Sequence, residues 1–261
     1  MKKSMGYTIG VCVGLFAITS ANAQAPAQAP ARTPVVEIFG CTFNAGNGMK
    51  EFQGATAKWT AWADKNKVTD YTAIVMTPYF HGTDTTNDVL WLGAWPNGTA
   101  MGAGEAQYFA SGSEVDAAFS KAVKCGSHAL YAAVVTHPPK GPPPAGGVTM
   151  FTNCTLHAGR DAGEALAALG QWGNYLAENG QDVFAAVLFP LAGERGDAHW
   201  NFKAVEGYSS VEAFGKATDF VSSGGFRKAD ELFSRVVDCD SARVYSTNRV
   251  RSPAAPPAAQ R

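Results

Sequence analysis

Charge is what this 261-residue chain has little of. Charged residues make up 16% of it, against about 25% in an ordinary globular protein. Lys and Arg number 21 and Asp and Glu 22, a net charge of −1. Without a basic excess there is no face to follow a phosphate backbone, which excludes an electrostatic nucleic-acid binder. Long hydrophobic runs are missing too. The longest, Tyr7 to Ile18, falls short of the roughly 20 residues a spanning helix needs. The motifs that announce chemistry are absent: no GxxxxGK[ST] phosphate cradle, no GxSxG elbow and no CxxC. No set of His, Asp and Glu shows metal-ligand spacing, so neither a metal nor a cofactor is expected. At 46% hydrophobic residues, wholesale disorder is excluded as well.

The two ends do not read as fold. Lys2 and Lys3, an apolar stretch and Ala21-Asn22-Ala23 form a secretory signal over residues 1–23, with an uncleaved anchor as the alternative. Cys12 lacks the small preceding residue of a lipoprotein site. Residues 24–34 read as a Pro/Ala-rich linker, and 251–261 as a disordered tail of similar composition. Removal of the signal takes two lysines and leaves a net charge of −3. The expected product is soluble and away from the membrane, in the periplasm or secreted.

What is present is a repeat. Shifted by 113 residues, Cys41-Thr42 meets Cys154-Thr155, and Ala45-Gly46 meets Ala158-Gly159. Glu51 then meets Glu164, Ala55 meets Ala168, Trp59 meets Trp172 and Asn66 meets Asn179. Further on, Phe119-Ser120 matches Phe233-Ser234, and Cys125-x-Ser127 matches Cys239-x-Ser241. An ordered series of this kind marks two related halves, residues 35–138 and 147–250, with a Pro/Gly linker at 139–146. Each half opens with a β-rich run, 35–43 or 148–156. A helix follows at about 48–65 or 161–178, its apolar residues at three- and four-residue steps. Two strands come next, at 71–80 and 88–95 or at 183–191 and 199–206. Each half closes with an interrupted helical region, 99–124 or 210–238, and a last strand, 127–137 or 241–250. Ser113 and Asp116 suggest a capped restart inside the first helical region.

This element order is the ferredoxin-like β-α-β-β-α-β unit, twice. The whole resembles the dimeric α+β barrel superfamily in a single-chain tandem form. The fold expected is therefore α+β, two tandem ferredoxin-like repeats making an intrachain pseudodimeric barrel, and a monomer. Two independent ferredoxin-like domains are the alternative. In the barrel topology the first and last strands of a unit are antiparallel neighbours. Cys41 would then meet Cys125, and Cys154 would meet Cys239, at separations of 84 and 85 residues. Closing loops this long stabilises each half by about 4 kcal/mol in the chain-entropy picture.

The resemblance implies a ligand space between sheet and helices or inside the barrel. Trp62, Tyr79, Trp91 and Trp95, with Asn44, are candidates in the first half, and His157 and Tyr175 in the second. Trp59 and Trp172 lie on apolar helix faces and read as core. Haem-degrading enzymes and chlorite dismutase-like proteins of the superfamily use a histidine near the second helical region, and 99–124 and 210–238 contain none. Cofactor-free monooxygenases of the superfamily use Trp and Asn around an apolar pocket, which Asn44, Trp59 and Trp91 echo. Three functions follow: an exported binder of a small apolar or aromatic molecule, a cofactor-independent monooxygenase or isomerase, or an interaction module without a pocket. No motif selects a reaction.

Overall fold

The computed structural model describes residues 33–141 and 144–253. The expected signal segment, most of the expected first linker, residues 142–143 and the expected tail from 254 onward lie outside the described residues.

The first strand, β1 (Val35–Phe43), shows how the sheet is laid down. Side chains alternate, so Val35, Glu37 and Phe39 face the helices while Val36 and Ile38 face the opposite side. Both faces are covered, which is why the strand reads as a nearly unbroken apolar run. The other strands are β2 (Thr72–Phe80), β3 (Val89–Trp95), β4 (Val123–His137), β5 (Gly146–Leu156), β6 (Val183–Ala192), β7 (Phe202–Tyr208), β8 (Val237–Cys239) and β9 (Arg243–Arg251). Their order is β7-β6-β4-β1-β3-β2-β9-β5, and β5 pairs back onto β7. The result is a mixed α+β fold around a closed eight-stranded barrel, with β8 pairing beside the end of β5. Within the first half the order is β4-β1-β3-β2, and within the second β9-β5-β7-β6. Antiparallel seams β2–β9 and β4–β6 join them.

The barrel interior is filled by Val36, Met76, Leu90, Tyr131, Phe151 and Tyr245, among others. At one mouth the Tyr131 hydroxyl donates to Glu194, and Lys203 Nζ lies 3.4 Å from Glu194 and 4.0 Å from the centre of the Trp200 ring. Burial holds the Lys203 ammonium below its usual pKa, and Glu194 works against that. Of the two ligand spaces the resemblance implies, the barrel interior is therefore packed.

Helices cover the outer faces. In the first half these are α1 (Met49–Lys65), α2 (Gly98–Ser111) and α3 (Ser113–Ala122). Helix α1 starts where Glu51 accepts the Gly48 N–H (2.9 Å), and it buries Phe52, Ala55, Trp59 and Ala63 along one stripe. In the second half they are α4 (Ala162–Glu178), α5 (Val211–Phe220) and α6 (Phe226–Phe233). Helix α4 begins in a reciprocal cap between Asp161 and Glu164.

Three local features differ from the sequence expectations. Ser113 is the first residue of α3 and caps nothing; the boundary residue is Gly112, where a Cβ would lie 2.7 Å from the Tyr108 carbonyl. Helices α5 and α6 are joined by a π-helical segment, Val221–Gly225, whose Gly224 takes φ 138°, open mainly to glycine. The last strand of the second half is split into β8 and β9. Between them the Asp240 carboxylate accepts the Asn153 N–H (2.7 Å) and both ends of the Arg243 guanidinium (2.8 and 2.9 Å), which bends the chain. In the first half the corresponding strand, β4, runs unbroken and bulges instead. Gly40 lies opposite Ser127 and Cys41 opposite Cys125, so Gly126 is the extra residue. Disulfides join Cys41 to Cys125 and Cys154 to Cys239.

Candidate functional site

A cavity of about 300 Å³ opens between the sheet of the first half and helices α1, α2 and α3. Its wall is aromatic. Strand β3 contributes Trp91 and Trp95, four residues apart and therefore on one face. Trp59 and Trp62 come from α1, and Tyr108 from α2. The rings meet edge to face: Trp59 on Trp91 at 4.8 Å, Trp62 on Tyr108 at 5.1 Å. Gly104 lets α2 approach, since a Cβ there would lie 2.0 Å from the Trp95 ring.

A polar chain runs along the floor of this cavity. Trp91 Nε1–H donates to the Tyr71 hydroxyl (2.9 Å), which donates to Glu37 Oε1 (2.7 Å). Glu37 Oε2 lies 3.0 Å from His128 Nε2. Glu37 is only 4% exposed. A carboxyl that deep is tolerated because both oxygens have partners. Burial, reinforced by the Glu37 charge, holds the Tyr71 phenol well above its usual pKa, so it stays a neutral donor. Gly93 makes the arrangement possible: a Cβ there would sit 1.8 Å from Tyr71 Oη and 2.6 Å from Glu37 Oε1. The chain ends outside the core. The His128 side chain is 50% exposed, and its ring stacks on Phe39 at 3.6 Å. Buried hydroxyl, carboxyl and half-exposed imidazole in hydrogen-bond sequence can pass a proton between the cavity floor and solvent.

Glu105, on α2, adds a second carboxyl to the wall, and Asp116, on α3, a third. Burial, then the nearby Glu37 charge, raise the Glu105 carboxyl above its ordinary pKa, while His128 offsets part of this.

Of the residues singled out from the sequence, the cavity brings together Trp62, Trp91 and Trp95. Asn44 lies elsewhere. Its Nδ2 donates to the carbonyls of Ser120 (2.9 Å) and Lys121 (3.0 Å), tying the end of α3 to the loop after β1. His157 holds the matching position in the second half. Both residues donate a backbone N–H across the unit, to Ala122 and Val236, each at 3.0 Å. The His157 side chain turns to Asp238 (2.9 Å). Tyr79 is 50% exposed near the end of β2 and packs on Phe80. Tyr175 lies in the second half between Trp172 and Phe220. Missed from the sequence were Glu37, Tyr71, His128 and Glu105. The one available signal was Glu37, a lone acid in an otherwise apolar strand.

The corresponding space of the second half is packed. Trp172, Tyr175, Phe220, Phe233 and Leu176 fill it. Glu206, the counterpart of Gly93, accepts from Trp172 Nε1 (2.8 Å) and from the Tyr208 hydroxyl (2.6 Å).

No protein-family model matches the chain, and no curated protein matches it. Solved structures do. A proposed monooxygenase from Lactobacillus acidophilus is 14% identical, covers 84% of this chain and 94% of its own, and superposes with a TM-score of 0.53. A proposed chlorite dismutase is 10% identical, with coverage of 84% and 95% and a TM-score of 0.52. A haem-binding protein from Thermus thermophilus is 13% identical, with coverage of 82% and 91% and a TM-score of 0.50. Such identities speak to fold alone. The residues here do not fit haem. No histidine lines the cavity, the nearby His128 is engaged by Glu37, and the wall offers three carboxyls and no cation to pair with haem carboxylates. Among the described residues no helix is long and apolar enough to cross a membrane.

Proposed function

We propose, from the dimeric α+β barrel fold that this chain shares with those structures, that it is an exported, monomeric protein that binds a small, largely aromatic molecule in the cavity of its first half. It consists of two tandem ferredoxin-like repeats that supply each other's barrel edge. The paired disulfides, the matching loop hydrogen bonds and the parallel strand orders support the duplication and an oxidising compartment. The observation that carries the binding function is the cavity itself: about 300 Å³, aromatic-walled, with a satisfied polar floor that orients rather than fills it. An interaction module without a pocket would have no use for it.

Binding has a direct readout. Four of the six tryptophans line the cavity, leaving Trp172 and Trp200 outside. Titration with 2-naphthol should quench most of the intrinsic fluorescence saturably, and Trp91→Ala should abolish saturation. Linear, unsaturable quenching in the unmodified protein would end this proposal.

A second function is favoured by the Trp91–Tyr71–Glu37–His128 chain: a cofactor-independent monooxygenase acting on a phenolic substrate. In that chemistry the chain takes the substrate's phenolic proton, leaving an electron-rich anion in the aromatic cavity for reaction with oxygen. Oxygen uptake with hydroxyquinone-type substrates tests it. Turnover should disappear in Tyr71→Phe, and no uptake with the unmodified protein would rule it out.

A further inference from the structure

The cavity wall has a one-sided electrostatic character that its aromatic content hides. Three carboxyl groups border it, on Glu37, Glu105 and Asp116, and no Lys, Arg or His does. Glu37 has His128 and Tyr71 as partners. Neither Glu105 nor Asp116 forms an ion pair with any basic side chain among the described residues. Asp116 is exposed to solvent, but Glu105 is partly buried on the apolar wall, where an unpaired carboxylate is costly unless something arrives to face it. The strained ionisation of Glu105 registers that cost.

The aromatic groups point the same way. Trp59, Trp62, Trp91, Trp95, Tyr71 and Tyr108 surround the space on several sides. Their ring faces are the negative end of the aromatic quadrupole, which attracts an ammonium placed over it. The two sources of negative potential, rings and carboxyls, come from independent residues on different elements and converge on one volume. A third observation adds a polar handle. Trp95 is 7% exposed, lines the cavity, and its indole N–H finds no acceptor among the described residues. A buried donor left alone invites an oxygen on the occupant.

Resting on the ligand-binding function above, we infer that the occupant is a small organic cation: a quaternary or alkylated ammonium on an aromatic body, carrying an oxygen acceptor. The ammonium lies in the cage toward Glu105 and Asp116, and the aromatic body packs against Trp59 and Trp91. This sets the site apart from one for a neutral aromatic, which would need no carboxyls, and from one for an acid, which this wall would repel.

The experiment compares three probes of similar shape: (3-hydroxyphenyl)trimethylammonium, its neutral isostere 3-tert-butylphenol, and 3-hydroxybenzoate. Each is titrated into the intact protein, with binding read by calorimetry and tryptophan fluorescence. The cation is expected to bind about tenfold or more tighter than the neutral isostere, with no measurable binding of the benzoate. Glu105→Gln combined with Asp116→Asn should bring the cation-to-neutral ratio to within about threefold. Both side chains are at least partly exposed, so the variant keeps its fold. Equal or tighter binding of the neutral isostere would overturn the charge inference while leaving the cavity as a ligand site. An unchanged ratio in the double variant would also overturn it. Failure of all three probes to bind would remove the ligand-binding function along with it.

Discussion

The two halves hold the same chemical set, one glutamate with one tryptophan and one tyrosine, and wire it in opposite senses; Glu37 is buried and Glu206 only partly so. In the second half Glu206 is an end point: Trp172 and Tyr208 both donate to it, and the set is closed. In the first half the carboxyl moves to β1 as Glu37, and the position of Glu206 becomes Gly93. The space so released admits the Tyr71 hydroxyl, and the set opens into a chain that continues to His128. The helix side follows suit. Aromatics close over Trp172, whereas above Trp91 the wall stands back to leave a cavity. The position of a single carboxyl, on β1 in one half and on β7 in the other, thus goes with an open cavity in the first half and a packed space in the second.

The largest effect should be the same in both halves, which makes it the control for every other comparison. Replacing Cys41 and Cys125 by alanine opens a loop of 84 residues, and replacing Cys154 and Cys239 opens one of 85. Each pair should cost about 4 kcal/mol in denaturant unfolding, and the two costs should agree closely. A large difference between them would mean that the halves differ in scaffold stability, not only at the site.

Next comes the device that distinguishes them. Gly93→Ala forces a methyl into the Tyr71 hydroxyl and the Glu37 carboxyl. Breaking a buried polar set of this kind should cost about 3 kcal/mol and disturb the tryptophan fluorescence of the cavity. Glu206→Ala in the second half strands one indole N–H and one hydroxyl, for about 2 kcal/mol, and should leave ligand titrations unchanged. If Glu206→Ala weakened binding as much as Gly93→Ala, the assignment of the site to one half would fail.

Much of the mixed α+β barrel could be read from the chain, for identifiable reasons. The apolar steps of α1 and α4 recur with Trp59 and Trp172, and Gly46 and Gly159 recur because both take φ near 80° in the loop after the first strand. The cavity tryptophans Trp91 and Trp95 were legible from their even spacing on one strand. The polar floor was not. Glu37 and Tyr71 lie 34 residues apart and Glu37 and His128 lie 91 apart, and only the pairing of β3 with both β1 and β2, and of β1 with β4, brings them together. Asn44 and His157 misled for the opposite reason. They differ at equivalent positions in the way working residues do, yet both side chains hold loops to neighbouring segments. The split of β8 from β9 depends on Asp240 meeting Asn153 and Arg243, which no local pattern announces.

The cavity should also leave a mark on the pH dependence of stability. The native state raises the Glu105 pKa, so between its ordinary value and its folded value the native chain holds more proton than the unfolded one. Stability is therefore expected to fall as the pH rises through that window and to level off above it. Glu105 is only partly buried, so the drop should be less than about 1 kcal/mol. Glu105→Gln should flatten it. A drop that persists in the variant would place its origin outside the cavity wall.

The smallest contrast sits at the ends of α1 and α4, where the two halves solve one problem with different residues. After each helix the chain must enter the left-handed region to turn toward the next strand. The second half does so with Gly180 at φ 79°, and the first with Lys67 at φ 55°, the one non-glycine residue with positive φ among those described. A side chain there costs about 1–2 kcal/mol in the folded state, and glycine gives back part of that through the freedom of the unfolded chain. Lys67→Gly should accordingly stabilise the protein by about 0.5 kcal/mol, and Gly180→Lys should destabilise it by about 1 kcal/mol. Paired urea unfolding curves of the two variants, read against the unmodified protein, decide the matter. Should Lys67→Gly destabilise instead, the lysine would have to earn its place through its side chain, and the strained turn would belong to the working half by selection, not by drift.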